Sequence, residues 1–411
     1  MKFPTIPLTA ALTLVSAKAP LHARDDGTDI PNNYVVTLKQ SLDTTKVNKF
    51  YKSLRATSFG KPPGTGYRGI INSFDNVEYS AVHIECDDKV IDAIRNNPSV
   101  ESVYQDGYVY GQRVIPAPEV EPRDDQIQTT PPWGLSRISH REAGTTNYIS
   151  QKSLRTYLYC LDTGVRITHK EFGGRAIWGA NFIDNSPNTD ENGHGTHTCA
   201  TAAGNTVGVD NTTTPIAVKC LDKNSSGTWS GILAAIDWAV GDAKARKAIT
   251  RSVINMSIGG TTFQPLDDLV SNATASGMSI IVAASNYGAD ASGYSPARAP
   301  GAITVAAVDQ GDARPPWSNY GTNVAVFAPG VDIYSAWFTG DGAYATESGT
   351  SMAAPHVAGL AVYLMSREGI TGPTAVRQRL LKLATTGKVK DGGNGSPNVI
   401  AFNGGADSWQ F

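Results

Sequence analysis

Cysteine is scarce: the 411-residue chain has four, Cys86, Cys160, Cys199 and Cys220. That is too few for a disulfide scaffold, so stability must come from an apolar core. Cys160 and Cys220 lie inside apolar strand patterns and read as small buried hydrophobes. An excess of either charge is also missing. The 35 basic and 37 acidic residues leave a net charge of -2 with no block of one sign, which excludes a partner held by charge alone, nucleic acid included. Beyond the N-terminus no stretch reaches the roughly 18 apolar residues that a membrane span needs. The expectation is a monomer with neither nucleic acid nor membrane as partner. Internal repeats and low-complexity segments are lacking too.

What is present begins with residues 1–19, MKFPTIPLTAALTLVSAKA, where one basic residue, Lys2, precedes a modestly apolar middle and the small residues Ala17 and Ala19. This is the pattern of a secretory signal peptide ending between residues 19 and 23, and it predicts a secreted, extracellular protein. Pro4 and Pro7 speak against a buried strand or helix there. Residues 34–110 then read as a small domain within a segment 20–125. Strand patterns at 34–38, 74–85 and 100–109, with helix patterns at 42–56 and 88–96, suit a β-α-β-β-α-β, ferredoxin-like α+β unit. Pro116, Pro118, Pro122, Arg123, Asp124 and Asp125 mark an exposed linker open to proteolysis.

From about Trp133, in a domain taken as 126–411, the texture changes. Apolar runs at 156–161, 216–221, 252–258, 279–284 and 302–308 alternate with helix patterns at 194–204, 230–245, 265–276 and 350–367. Near-continuous apolar strands between helices predict an α/β fold, a mostly parallel sheet with helices on both faces. Sites in such sheets form at the carboxyl ends of strands.

Three blocks carry chemistry. Asp162-Thr163-Gly164 puts a carboxylate at a strand's end, which taken alone reads as a cap or turn residue. Asn192-Gly193-His194-Gly195-Thr196-His197 opens a helix of small residues. Two histidines three apart suggest metal ligands, but no cysteine cluster or acidic ligand pattern accompanies them, so no metal site is expected. The run from Gly349-Thr350-Ser351 to Gly359 is more specific. A serine at the start of a buried helix sits where free backbone N–H groups can face a developing oxyanion, and small neighbours leave room for a polypeptide. No Gly-x-Ser-x-Gly elbow surrounds it, which disfavours an α/β-hydrolase.

Together these blocks, in the order Asp, His, Ser, resemble the signatures of the subtilisin family of serine endopeptidases, most of all its proteinase K-like branch. Residues 34–38 and 100–106 are similar to the ends of that family's inhibitory propeptide. The resemblance implies a self-processed zymogen that hydrolyses proteins and peptides with broad specificity and is inhibited by its own propeptide. Ser351 would be the nucleophile, His194 the base and Asp162 the group that orients it. Asn286 would donate to the oxyanion with the Ser351 N–H. Ser225, Ser226, Gly227 and Trp229 on one side, with Ser257, Ile258, Gly259 and Gly260 on the other, would flank an extended substrate. Ser295-Pro296 resembles a position with a cis peptide. The intact catalytic residues speak against a silent, substrate-binding homologue.

The match is incomplete. Ser285 stands where the family has a glycine beside its primary pocket, which puts pocket depth in question. The branch binds calcium through an aspartate at the position of Ala325, so no cofactor is required and calcium binding there is expected to be weak or absent. Cys199 lies close to the His194 block and reads as a packed, inert thiol rather than a redox-sensitive one. Of the sequons at Asn211, Asn224, Asn255, Asn272 and Asn394, Asn211 and Asn272 are the better glycan acceptors.

Overall fold

The computed structural model describes residues 18–24, 26–58, 67–112, 115–116, 131–145, 147–148 and 156–405. Most of the expected signal segment, the linker beyond Pro116 and the expected boundary at 125/126 lie outside the described residues. The contacts divide the chain into two units. One holds the residues up to Ala23 with Pro31–Ile71 and Ser80–Gln105; the other holds Arg24–Ile30, Asn72–Tyr79 and everything from Asp106 onward.

The first unit is built on β1 (Leu21–His22), β2 (Asp29–Leu38), β3 (Tyr67–Ser73), β4 (Ala81–Cys86) and β5 (Val100–Tyr110), with helices α1 (Thr44–Ser58) and α2 (Asp88–Arg95). The sheet order is β1-β5-β2-β4-β3. Without the short β1, this is the β-α-β-β-α-β arrangement expected from the patterning. Val36, Phe50, Leu54, Val82, Ile84, Ile91 and Val103 fill its core. α2 starts where the Asp87 carboxylate accepts from the Val90 N–H at 2.9 Å.

One expected strand is corrected. Residues 74–85 are not continuous: only Ala81–Cys86 is a strand, and Tyr67–Ser73 supplies the missing one. Within the intervening turn, the N–H of Val77 and Nδ2 of Asn76 donate to the Asp237 carboxylate instead of to a ladder. Val77, Tyr79 and Ala81 are buried two residues apart and so mimic the period of a strand.

In chain order the second unit carries β6 (Ile115–Pro116), β7 (Tyr157–Asp162), β8 (Ile177–Asn181), β9 (Thr214–Lys219) and β10 (Ser226–Thr228). There follow β11 (Ser252–Met256), β12 (Gly260–Thr261), β13 (Ser279–Ala283), β14 (Tyr294–Ser295), β15 (Ile303–Val308) and β16 (Val324–Pro329). The last are β17 (Ile333–Ala336), β18 (Tyr344–Ser348), β19 (Thr385–Thr386) and β20 (Val399–Ile400). Its α-helices are α3 (Trp133–Ser139), α4 (His194–Ala203), α5 (Trp229–Ala245), α6 (Gln264–Ala275), α7 (Thr350–Glu368) and α8 (Pro373–Leu383).

The main sheet runs β19-β20-β16-β15-β13-β11-β7-β9-β8, parallel except where β19 meets β20. β7, β9, β11, β13, β15 and β16 are buried almost throughout, which is why they read as continuous apolar runs. α4 packs on α7 in one layer, and α5 on α6 in another. From β7 the chain builds outward to β9 and β8, then crosses to β11 on the other side. The strand order reverses there, so the carboxyl ends of β7 and β11 open a crevice.

Candidate active site

Asp162 is the last residue of β7, His194 the first of α4, and Ser351 the second of α7; all three side chains are buried. Asp162 Oδ1 accepts from His194 Nδ1 at 2.7 Å and from the Thr163 N–H at 2.7 Å. Oδ2 accepts from Thr198 Oγ1 at 3.2 Å. The carboxylate is thus held from three sides and fixes the imidazole with Nε2 away from it. That Nε2 is buried and unpartnered among the described residues. Ser351 Oγ donates to the Ser257 carbonyl at 3.3 Å, so the resting hydroxyl is not on the histidine. Catalytic hydrogen bonds are often loose before substrate arrives.

Burial works against a charged His194, but the adjacent Asp162, with Asp190 and Glu347 further off, outweighs it and raises the imidazole above its ordinary 6.5. Neither Asp190 nor Glu347 stood out in the sequence. Asp190 Oδ1 accepts from Thr163 Oγ1 and the N–H groups of Asn192 and Gly193, and Oδ2 accepts from the Thr196 N–H and hydroxyl. It therefore ties the end of β7 to the start of α4. Asp190 lies three residues ahead of the Gly193 N-cap, outside the position where a capping side chain is sought in a sequence. Half-buried Glu347 lines the cleft beside His194, with its own carboxyl raised by burial. Gly193, at φ +112°, starts α4 under the Trp337 ring, where a Cβ would meet ring carbon at 2.5 Å.

Asn286 follows β13 and aims at the same place. Its Oδ1 accepts from the Thr350 N–H at 2.9 Å and the Thr350 hydroxyl at 2.7 Å, which sets the direction of the amide. A Cβ built on Gly349 would lie 3.2 Å from Asn286 Nδ2 and 3.5 Å from the Ser351 nitrogen. Two donors thus converge on a space that exists because residue 349 has no side chain, as an oxyanion hole requires.

The flanking residues sort less evenly. Residues 108–110 pair antiparallel with Ser226, Gly227 and Thr228. The Gly111 N–H donates to the Ser225 carbonyl at 2.7 Å, and Gly111 bridges to Ile258 on the other wall. Ser225, Ser226, Gly227 and Ile258 hence flank an extended segment of the chain itself. Gly259 leaves room for the Gln112 amide, since a Cβ there would fall 2.6 Å from its Nε2. Ser257 touches the serine rather than the segment: its Oγ donates to the Ser351 carbonyl at 2.9 Å. Trp229 is 1% exposed and stacked on Phe263, so it supports the wall from behind. Ser285 is fully buried at φ +83°, a conformation that costs a non-glycine residue ~1 kcal/mol.

Two expectations about cysteine are corrected. Cys160 and Cys199 are neither a lone hydrophobe nor an inert thiol but a disulfide, with Cα atoms 5.8 Å apart. They lie 39 residues apart in sequence and meet because β7 and α4 pack together around Asp162 and His194. Cys86 and Cys220 are free and buried. His197 Nε2 is 2.9 Å from the Ile333 carbonyl, and burial pushes its imidazole down to about 3, which suits a packed neutral ring. Ala325 is a buried methyl in the apolar core, so the calcium site implied by the resemblance does not fit there. Asn255 is buried in β11, Asn224 lines the cleft, and Asn211 and Asn272 are half-buried. Ser295-Pro296 is cis.

Residues 155–400 match the Subtilase family, and residues 33–112 match the peptidase inhibitor I9 family. Subtilisin-like protease 2 of Pseudogymnoascus destructans is 38% identical over 401 residues, 97% of this chain and 96% of that protein. Alkaline protease 1 of Aspergillus clavatus is 38% identical over 415 residues, 98% of each chain. The crystal structure of a cold adapted subtilisin-like serine proteinase matches with a TM-score of 0.61 at 41% identity, covering 66% of this chain and 97% of the other.

Proposed function

Since the chain belongs to the subtilase family of serine peptidases and carries an I9 inhibitor domain ahead of the peptidase, we propose that it is a secreted endopeptidase of broad specificity, made as a zymogen that cuts itself. The observation that carries this reading is the convergence of Asn286 Nδ2 and the Ser351 N–H on the space at Gly349, beside a serine and a histidine locked to Asp162. In the cycle, Ser351 Oγ attacks the scissile carbonyl as His194 Nε2 takes its proton. The oxyanion rests on the two donors, and the proton passes to the departing amine. Water, activated by the same histidine, then releases the acid and restores Ser351.

Main-chain pairing with β10 and Ile258 supports a cleft that asks little of most side chains. A signal peptide cut after Ala19 would keep β1, whereas a cut after Ala23 would remove it. The fungal relatives, subtilisin-like and alkaline proteases, support the same activity. Glycans at Asn211 and Asn272 and action as a monomer belong to this reading, as does independence from calcium at Ala325: EGTA should leave Tm unchanged, and a fall reversed by calcium would contradict it.

The test is the purified precursor in a protease-free host. The wild-type chain should mature and take a fluorophosphonate on Ser351, and Ser351→Ala should stay full-length and unlabelled. Maturation of Ser351→Ala to the same size would remove self-cleavage from the reading.

A further inference from the structure

The segment running through the cleft is disposed as a substrate. Tyr108 and Tyr110 are 47% and 55% exposed, while Val109 and Gln112 are 2% and 4% exposed. Beyond it, Ile115 and Pro116 pair antiparallel with Ser348 and Glu347, just ahead of Ser351. Residues up to 112 therefore lie along β10 and Ile258, and residues 115–116 lie along β18, the strand that leads into the helix carrying Ser351. The last described side chain of the first stretch is Gln112, which lines the cleft with His194. Its Nε2 donates to Ser285 Oγ at 3.1 Å, in the space left by Gly259. Ser285 is fully buried, and its carbonyl accepts from the Asn319 N–H at 2.9 Å, which holds its backbone in place.

We propose that Ser285 is a specificity-determining residue, that it selects glutamine on the acyl side of the cut by accepting from the side-chain amide, and that the chain's first cut falls on the carboxyl side of Gln112. The proposal rests on the peptidase reading and adds a preference to it. It also narrows the maturation point, expected from the sequence between about residues 110 and 127, to residue 112. In that step Ser351 Oγ forms an ester with the Gln112 carbonyl carbon, and the C–N bond to residue 113 breaks. His194 delivers its proton to the new amine. Water then hydrolyses the ester to the Gln112 carboxylate and the Ser351 hydroxyl. No other reactant is needed.

Two readouts on the full-length protein test this. The N-terminal fragment released early in maturation should have the mass of a chain ending at Gln112; any other end overturns the assignment of the cut. For the matured enzyme, kcat/KM is compared on peptides that differ only in Gln or Met before the scissile bond. A buried hydrogen bond to a neutral amide should favour Gln by about threefold to tenfold. Ser285→Gly, which suits φ +83°, and Ser285→Ala, which removes only the hydroxyl, should both bring the ratio close to one. A ratio near one in the wild type, or one unchanged in both variants, overturns the role of Ser285. Casein digestion and fluorophosphonate labelling report on the peptidase reading separately: an enzyme that passes both but shows no preference loses only this inference, and one that fails both loses the reading and the inference together.

Discussion

Gly349 has no side chain, and the space this leaves is bounded by Asn286 Nδ2 and the Ser351 nitrogen. At the scale of single residues, a methyl group there should do what removal of a donor does. Gly349→Ala is expected to lower kcat by ~10²-fold or more, the size measured for the oxyanion asparagine of subtilisin itself. Its φ of 168° is extended backbone that alanine adopts freely, so Tm should barely move. Steady-state kinetics beside a melting curve checks both; an active Gly349→Ala would mean that the oxyanion lies elsewhere. Glu347 acts at the same scale through charge. His194 must be neutral to accept a proton, so kcat/KM falls as pH drops through its pKa, which lies above 6.5. Glu347 helps to raise that pKa. Glu347→Gln should therefore carry activity to lower pH, seen as a downward shift of the acid limb of the kcat/KM profile; a limb that stays put would show that the charge is screened.

The elements that bring these groups together are β7, α4, α7 and the turn after β13. The structure brings together Asp162, His194, Asn286 and Ser351, which the sequence singles out because the blocks around them are short and local. Asp190 was not: its role is to bond several N–H groups between Thr163 and Thr196, and such a pattern exists only once the strand end and helix start are adjacent. The Cys160–Cys199 bond was missed for the same reason, since apolar spacing makes Cys160 look like any core residue of β7. This crosslink between the strand that ends in Asp162 and the helix that begins with His194 should stabilise the fold by ~2–4 kcal/mol. The denatured, unreduced precursor should alkylate at two of its four cysteines, and at all four after reduction. A Cys160→Ser/Cys199→Ser double variant should melt lower and lose kcat/KM. Four alkylated cysteines without reductant would mean that the bond does not form.

For the molecule as a whole, the alternation of apolar strands and helices announced the parallel sheet, and the three blocks announced the cleft at its carboxyl edge. The placement of residues 108–112 and 115–116 was hidden. Their sequence reads as the end of one strand and the start of a proline-rich linker, and only pairing with β10 and with β18, the strand just ahead of Ser351, shows where they lie. Asp106 helps to seat it, accepting from the Ser230 N–H at 3.1 Å and the Ser230 hydroxyl at 2.6 Å.

Val109 and Gln112 are both buried although they stand three residues apart. A strand's period of two would put them on opposite faces, so the segment leaves strict alternation at Gly111, which has no side chain to place. One residue added or removed there would change that step, and a segment docked by Val109 could no longer seat Gln112 against Ser285: spacing joins side-chain identity in deciding what the cleft accepts.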